Sequence, residues 1–276
     1  MSTNSINTNS GAMIALQNLN NTASELQTTQ NRVSTGLLVS TAKDNGAIWG
    51  IAQNERSSVT SLDAVKQSLQ RAQSTVDVAV SAGQTISDLL NQIKAKTLAA
   101  SDSSLDSTSR TALANDVTAL VAQITRIGSN ADFNGTNLIK SGGVNISALA
   151  NANGGTNVLT VVAQDLSVGG AKLGALGTVF TTTATASTYL GTVTTAITNV
   201  NSAVASLGTA SNALTTHLNF ISNLQDTLTQ GVGNLVDADV AKESATLTAL
   251  QTKQQLGVQA LSIANASKQG LLSLFR

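Results

Sequence analysis

Apolar residues recur along most of this chain in alternating steps of three and four, the spacing that aligns side chains on one face of an α-helix. The alternation covers residues 16–33, 62–93, 113–127 and 190–235, and it continues more loosely over 247–271. Seams of this kind are typical of coiled coils, in which each helix buries its apolar stripe against a partner. The pattern therefore predicts a mainly α fold built around a long coiled-coil helical rod.

The segment 190–235 is the longest of the predicted helices. At 1.5 Å per residue it would extend for roughly 70 Å, and its continuous stripe needs another helix to cover it. We expect 62–93 to be its antiparallel partner within the chain, with 113–127 beside them. The predicted rod-core residues are Leu62, Leu69, Val76, Ile86, Leu90, Leu120, Ile124, Ile197, Val204, Leu218 and Leu228.

The middle of the chain, from about 130 to 187, departs from the helical pattern. It is rich in Thr, Gly and Asn, and it contains a β-branched run at 158–162. Such runs between glycine turns are typical of β-strands. We therefore expect a small central β-hairpin region that reverses the chain between its outgoing and returning helices.

Two interruptions separate a helix at each end of the chain from the rod. The first is the run AKDNG at 42–46. The second combines Gly231 and Gly233 with Asp237 and Asp239, and these two carboxylates are well placed to cap a following helix. Each terminal arm is therefore predicted to be a separate amphipathic helix.

Because the helical segments are nested around the β-rich centre, the two chain ends are predicted to meet, with the centre farthest from them. The seams of the terminal helices include Ala, Gln, Gly and Lys, so we expect these helices to become ordered mainly on assembly. The residues predicted to pack there and to support polymerisation are Leu16, Leu19, Ala23, Leu26, Val33, Leu247, Leu250, Leu261, Ala264, Leu271, Leu274 and Phe275.

Composition narrows the possible partners of this chain. Only 11% of its residues are charged, against about 25% in a typical soluble domain, and 15 basic residues balance 15 acidic ones. Nucleic-acid binding needs clustered Lys and Arg, and aromatic residues on which bases can stack amount to only 2%. With 41% apolar residues, much of the surface is instead expected to be buried against other chains.

Candidate catalytic, cofactor and metal sites are not predicted. The chain has no cysteine, and a catalytic triad or a metal site based on His217, its one histidine, would need partners that the sequence does not supply. Asp237, Asp239 and Glu243 fail the spacing of a calcium loop, so helix capping is the better interpretation. We therefore expect a protein that is not an enzyme and that binds no cofactor.

Two features of the sequence bear on whether and how the protein is exported: the absence of a charged segment near its start and the absence of a long apolar run. Its first basic residue is Arg32, so a classical signal peptide is not expected, and no apolar run is long enough to predict membrane insertion. Proline, which breaks helix interiors, does not occur in the chain. A protein of this kind that leaves the cell is expected to use another export route.

Several runs of the chain together resemble the bacterial flagellins. The opening run SINTN precedes an apolar heptad helix, an arginine-serine-glycine segment leads into an alanine-lysine-aspartate segment, and a phenylalanine-asparagine-glycine turn follows the third helix. The terminal stretch is similar to that of the family nearly throughout. The runs are SINTN at 5–9, RVSTGL at 32–37, AKDNGA at 42–47, FNGTNL at 133–138, and 237–276 ending in LLSLFR.

The resemblance implies a structural subunit of the extracellular flagellar filament that contributes to motility. It further implies two domains: an inner helical domain of 1–42 plus 236–276, in which the N- and C-terminal helices pair, and a second domain of 43–235. Unfolded export through a flagellar type III channel is implied as well, as is polymerisation of the chain alone or with related flagellins. The implied partners are the export apparatus, a secretion chaperone, and filament-cap and hook-junction proteins.

The centre is short, so a compact flagellin without large outer domains is expected. The segment 93–98 and residues Ala122 and Gln123 differ from the family's immune-recognition segment, so that recognition is not carried over.

Two alternatives remain open from the sequence. A hook–filament junction protein shares the flagellin termini but forms only a short ring. A monomeric secreted helical binding module would have similar helices and no polymer state.

Overall fold

The computed structural model describes residues 8–152 and 157–272, with the side chains of the last helix described as far as Ser267. Within these ranges the chain forms five α-helices and two short β-strands, which confirms the predicted mainly α fold. The helices are α1 (Ser10–Thr35), α2 (Gly46–Ala100), α3 (Ser107–Asn130), α4 (Thr183–Val236) and α5 (Val240–Leu272), and the strands are β1 (Ile146–Leu149) and β2 (Val158–Val161).

The chain divides into two compact units. Unit 1 comprises Met1–Ser57 and Thr227–Arg276, and unit 2 comprises Ser58–Asp226. Unit 1 therefore contains α1, α5, the start of α2 and the end of α4. Unit 2 contains the remainder of α2 and α4 together with α3, β1 and β2.

Within unit 2, α2 and α4 run antiparallel, as the seams predicted. Ser87 Oγ donates a hydrogen bond to Asn201 Oδ1 at 2.8 Å, and Gln225 Nε2 donates one to Asp63 Oδ1 at 2.7 Å. Residue numbers along α2 therefore decrease in the direction in which those along α4 increase. Gln225 interrupts the apolar seam of α4 and is accommodated because it bonds across to α2.

The predicted rod-core residues are at least half-buried. Those with less than 9% exposure are Leu62, Leu69, Val76, Ile86, Leu90 and Ile124, and the half-buried ones are Leu120, Ile197, Val204, Leu218 and Leu228. On α4 the fully buried positions next to the predicted ones are Ala196 and Ala203. The half-buried Val204 still meets α2, because a Cβ added at Gly83 would stand 2.7 Å from Val204 Cγ2.

The central region contains one antiparallel sheet among the described residues. β1 pairs with β2 in a register that places Ile146 opposite Val161, so the β-branched run at 158–162 does form a strand. Ser68 Oγ of α2 accepts a hydrogen bond from Leu149 N at 3.1 Å. His217 Nε2 of α4 lies 2.7 Å from Ala150 O, so this histidine tethers the end of β1 to α4.

The first predicted interruption is present and has a clear local cause. α1 ends at Gly36, whose left-handed φ of 70° suits glycine, and Gly36 N donates to Arg32 O at 2.9 Å. α2 begins after Asn45, whose side-chain oxygen accepts hydrogen bonds from Ala47 N and Ile48 N at 3.2 Å.

The second predicted interruption is shorter than expected. Gly231 and Gly233 lie within α4, which continues to Val236, so the prediction that they break the helix is wrong. Glycine costs a helix interior only about 1 kcal/mol. Burial of Val232 and Val236 in an apolar cluster outweighs that cost.

The break itself falls between Val236 and Val240. Asp239 then caps α5, since its Oδ1 accepts hydrogen bonds from Ala241 N at 3.0 Å and Lys242 N at 3.1 Å. The capping role predicted for this carboxylate is confirmed.

Candidate polymerisation surface

The first and last helices of the chain pair with each other in unit 1. Asn9 Nδ2 donates a hydrogen bond to Ala264 O at 2.9 Å, and Arg32 donates one through NH1 to Glu243 Oε1 at 3.3 Å. The two contacts join opposite ends of α1 and α5, so the helices are antiparallel. The predicted pairing of the N- and C-terminal helices is confirmed.

The face of α1 that meets α5 repeats every seven residues. Leu19, Leu26 and Val33 are half-buried, and Thr22 and Thr29 between them are buried. Threonine can occupy such a place because its hydroxyl bonds within its own helix: Thr22 Oγ1 donates to Asn18 O at 2.9 Å.

The matching face of α5 mixes large and small side chains. Leu250 is buried, and Gly257 lies so near α1 that an added Cβ would stand 3.3 Å from Leu19 Cδ1. The half-buried members of this face are Glu243, Leu247, Gln254, Gly257, Leu261 and Ala264. Together with the threonines of α1, the small members of this face allow the two helices to lie close together.

The predicted packing residues fall into three groups. Those in the α1–α5 interface are Leu19, Leu26, Val33, Leu247, Leu250, Leu261 and Ala264. Leu16 and Ala23 point away from it and are exposed. Leu271 lies in α5 beyond the described side chains, and Leu274 and Phe275 lie outside the described residues.

Large apolar side chains also cover the outside of this helix pair. The exposed residues, which we call the terminal apolar patch, are Met13 (63%), Ile14 (60%), Leu16 (48%), Leu256 (61%), Val258 (54%) and Ile263 (65%). Sequence reasoning named only Leu16 among them, because the others fall off the three-four alternation. One feature of the sequence could have indicated them: α1 and α5 carry few charges and have apolar residues on every side. Met13, Ile14 and Leu16 line one surface groove, and large exposed apolar side chains grouped in this way are typical of an interaction site.

The two arms are also joined where they leave the rest of unit 1. Leu38 N and Val39 N both donate to Val236 O, at 2.7 and 3.3 Å, and Ala238 N donates to Gly36 O at 2.8 Å. Below these bonds lies the cluster of Val39, Ala52, Val232 and Val236, against which Leu37, Ile48 and the lone tryptophan, Trp49, pack. The backbone bonds and the cluster therefore hold the end of α1 beside the beginning of α5.

The AKDNG run at 42–46 forms a hydrogen-bonded turn rather than a chemical site. The Asp44 carboxylate accepts bonds from the backbone N–H and hydroxyl groups of both Ser40 and Thr41. These bonds, led by the one from the Thr41 backbone, hold the pKa of Asp44 below its usual value.

Metal-binding clusters and membrane-spanning helices are both absent from the described residues. Within residues 8–152 and 157–272, no group of three or more His, Asp or Glu side chains is arranged to hold a metal ion. No helix in the described part of the chain has the length and apolar character needed to cross a membrane.

Family comparisons decide what these paired helices belong to. The model of the bacterial flagellin N-terminal helical region matches residues 6–142, and that of the C-terminal helical region matches residues 190–275. The chain belongs to the bacterial flagellin family. It is 55% identical over 276 residues to flagellin FljM of Caulobacter vibrioides, covering all of both chains. It is 40% identical over 281 residues to a flagellin of Brucella melitensis, covering 99% of each. A crystal structure of Bacillus cereus flagellin is similar with a TM-score of 0.49 and 26% identity, over 56% of this chain and 88% of that one.

Membership identifies the chain as a structural subunit of the extracellular flagellar filament, which self-polymerises and serves motility. It is a structural protein and not an enzyme. Related flagellins co-occur in one organism, as FljM and FljO do in Caulobacter vibrioides. These predictions are confirmed, and the filament subunit replaces the junction protein and the monomeric binding module as the function of the chain.

Proposed function

We propose that this flagellin polymerises through its paired terminal helices. Residues 1–42 and 236–276 form the core of the filament, and residues 43–235 form a second domain. The observation that carries the proposal is the terminal apolar patch, which stays exposed after α1 and α5 have paired. In a filament, neighbouring copies would cover it.

Two sets of residues then have different roles. The α1–α5 interface, with Leu19, Leu26 and Leu250, holds the two arms together within one subunit. The terminal apolar patch contacts neighbouring subunits, and Leu16, Ala23, Leu271, Leu274 and Phe275 serve the same assembly. At about 25 cal/mol per Å², burying a few hundred Å² of apolar surface per neighbour favours assembly by several kcal/mol before the entropic cost of association.

Point variants on the patch test this proposal. Ile14→Glu and Ile263→Glu place a carboxylate where a neighbour should pack, and Ile14→Leu is the matched control. We expect both acidic variants to stay monomeric in a sedimentation assay, with unchanged helix content by circular dichroism, while Ile14→Leu forms filaments. Normal filaments from both acidic variants, or from a chain lacking residues 237–276, would overturn the proposal.

We further propose that the chain is exported unfolded through a flagellar type III channel. Two features support this route: the chain has no cysteine that could cross-link it, and the interface of its terminal pair mixes Thr, Gln, Gly and Ala with the leucines. Inserting a ligand-stabilised domain between β1 and β2 tests it. Secretion should stop when the ligand is added, and secretion of the ligand-bound domain would contradict unfolded export.

The secretion chaperone and the filament-cap and hook-junction proteins are proposed to bind the terminal apolar patch, because free subunits would otherwise aggregate through it. A photo-crosslinking residue at exposed Leu256 should capture these partners, and the same residue at buried Leu250 should not. Equal capture from both positions would contradict binding at the patch.

A further inference from the structure

The outward side of α4 in unit 2 is composed differently from the rest of the surface. Its exposed positions repeat at helical spacing over roughly 60 Å, and they hold only Thr, Ser, Asn, Ala, Gly and one Phe. We call this set the outer face of α4: Ala184, Thr185, Ser187, Thr188, Gly191, Thr194, Thr195, Thr198, Ser202, Ala205, Ser206, Thr209, Asn212, Ala213, Thr216, Asn219, Phe220 and Asn223.

This face carries no formal charge. Between Lys172 and Asp226 the sequence contains no Asp, Glu, Lys or Arg. Exposed helix faces normally carry such residues, as α2 does with Asp63, Arg71 and Asp77. Depletion of charge is characteristic of the buried core of a protein–protein interface.

Most of the threonines on this face donate their hydroxyl hydrogen to a backbone carbonyl three or four residues earlier. Thr194 Oγ1 donates to Leu190 O at 2.8 Å, Thr195 Oγ1 to Gly191 O at 3.0 Å, and Thr209 Oγ1 to Ala205 O at 3.0 Å. With the hydroxyl satisfied in this way, the methyl group is the part of each side chain left to meet a neighbour. The face is therefore less polar than its composition suggests.

Phe220 is the one large side chain on this face and is 56% exposed. Phe180 and Tyr189 of the same unit are buried, so exposure of an aromatic ring is unusual in this chain. The ring lies 5.8 Å from that of His217, which is itself tethered to Ala150 O. Aromatic residues, phenylalanine among them, are enriched in protein–protein interfaces relative to the rest of the surface.

We propose that the outer face of α4 is buried against a second copy of this chain in the filament, with Phe220 seated in the groove between α2 and α3 of that copy. The proposal rests on the filament function and adds the surfaces that meet within the second domain. Contact between two identical faces would close a dimer. Growth of a filament instead needs one face to meet a different one.

The groove between α2 and α3 has the chemistry that an aromatic anchor needs. Its apolar lining consists of Val78, Ala82, Ile127 and Ala131, and its volume is about 740 Å³. The groove is open to solvent, so a side chain of another copy can reach its apolar lining. Its rim carries Asp77 and Arg126, one acidic and one basic side chain, which suits an uncharged partner.

A subunit cannot fill this groove with its own Phe220. Ser211 Oγ of α4 lies 3.3 Å from Asp77 Oδ1 at the groove, which fixes the level of the groove along α4. Phe220 is nine residues farther along the same helix, roughly 14 Å away. Ser81, another groove residue, lies on the opposite side of Asp77 along α2 and is therefore still farther from Phe220. Only another copy can bring the ring to the groove.

Cysteine cross-linking tests the contact directly, because the chain has no cysteine of its own. Phe220→Cys is combined in one chain with a cysteine at a groove position, Ser81→Cys, Gln123→Cys or Asn130→Cys. Because loss of the ring should raise the critical concentration, filaments are assembled well above it and then treated with a short thiol-reactive cross-linker. Phe220→Cys with Ser104→Cys, in the exposed loop before α3, is the matched control pair. We expect at least one groove pair to give a ladder of covalent oligomers from filaments and no ladder from monomers.

Each other result has a defined meaning. Dimers from Phe220→Cys alone would show two α4 faces in contact and overturn the proposal, as would intact filaments in which every groove pair stays uncross-linked. Covalently attached groups found by mass spectrometry along the outer face would also overturn it. Failure of the unsubstituted chain to polymerise would instead contradict the filament function itself.

A second measurement addresses the anchor. Phe220→Ser should raise the critical concentration for polymerisation at least about tenfold, with unchanged unfolding of the monomer. Phe220→Tyr keeps the ring and should stay within about threefold of the unsubstituted chain. An unchanged critical concentration for Phe220→Ser would overturn the role of the ring.

Discussion

Asn9 and Ala264 are 255 residues apart in sequence and joined by a 2.9 Å hydrogen bond from the Asn9 side-chain nitrogen to the Ala264 carbonyl oxygen. The oxygen of the same side chain accepts from Ala12 N at 3.1 Å and so caps α1. One amide therefore both begins the first helix and fastens it to the last.

Substitutions at Asn9 can separate these two roles. Asn9→Asp keeps the capping oxygen and loses the donor, so it should weaken the pairing of α1 with α5 by about 1 kcal/mol. Asn9→Ala loses the cap as well and should cost about 1 kcal/mol more. Hydrogen exchange of the first turn of α1 measures both, and exchange in Asn9→Asp as slow as in the unsubstituted chain would contradict the link.

Gly83 is predicted to be intolerant of a side chain. A Cβ at this buried position of α2 would stand 2.7 Å from Val204 Cγ2 on α4, and valine is too stiff to move away easily. We expect Gly83→Ala to reduce the free energy of unfolding by about 1–2 kcal/mol, because overpacking outweighs the gain in helix propensity.

Gly208 on α4 provides the matched control for that substitution. Nothing lies within 4 Å of its added Cβ. Gly208→Ala should therefore stabilise the monomer by about 0.5–1 kcal/mol. Denaturant unfolding followed by circular dichroism compares the two, and equal effects of both substitutions would refute the close helix approach at Gly83.

Tyr189, the one tyrosine of the chain, should titrate late. Burial raises the pKa of its phenol to about 12, and its hydroxyl donates to Leu176 O at 3.0 Å. Because the folded state favours the neutral phenol, its contribution to stability is complete below the unfolded pKa of about 10 and is lost as pH rises towards 12.

Tyrosinate absorbance should therefore have a midpoint near pH 12 in the folded chain and near 10 after denaturation. In Tyr189→Phe, the free energy of unfolding should fall less steeply over the same alkaline range. A folded-state midpoint close to 10 would contradict burial of the phenol.

Arg110 is predicted to be essential for the connection between α2 and α3. Its buried guanidinium donates to three carbonyl oxygens, those of Ala100, Asp102 and Leu105, at 2.9–3.0 Å. Arg110→Ala leaves these carbonyl oxygens without a donor and should lower the free energy of unfolding by roughly 2–4 kcal/mol. Arg110→Lys keeps the charge but lacks the planar guanidinium, so its free energy of unfolding should lie between those of the unsubstituted chain and Arg110→Ala. Unfolding of Arg110→Ala within about 0.5 kcal/mol of the unsubstituted chain would refute this role.

Some of this fold could be predicted because its evidence is local. The seven-residue spacing of Leu19, Leu26 and Val33 identified the side of α1 that is buried, and the β-branched run at 158–162 identified β2. The terminal apolar patch could not be predicted from spacing, since Ile14 and Leu256 break the alternation.

The second buried position of each repeat was not fixed by the pattern. Thr22 and Ala23 both continue a three-four alternation, as do Ala196 and Ile197. The structure buries Thr22 and Ala196, the first because its hydroxyl bonds back to Asn18 O and the second because its small size admits the facing helix. Neither reason is visible without the partner helix.

The sequence by itself determined that this protein is helical, lacks catalytic chemistry and carries flagellin termini, because periodicity, composition and motifs are properties of neighbouring residues. Only the tertiary structure decided which side chains remain exposed once α1 has met α5 and α2 has met α4. Exposure depends on packing between residues far apart in sequence, such as Asn9 with Ala264 and Gly83 with Val204. For a polymer subunit, those remaining exposed faces are the surfaces available to the next copy.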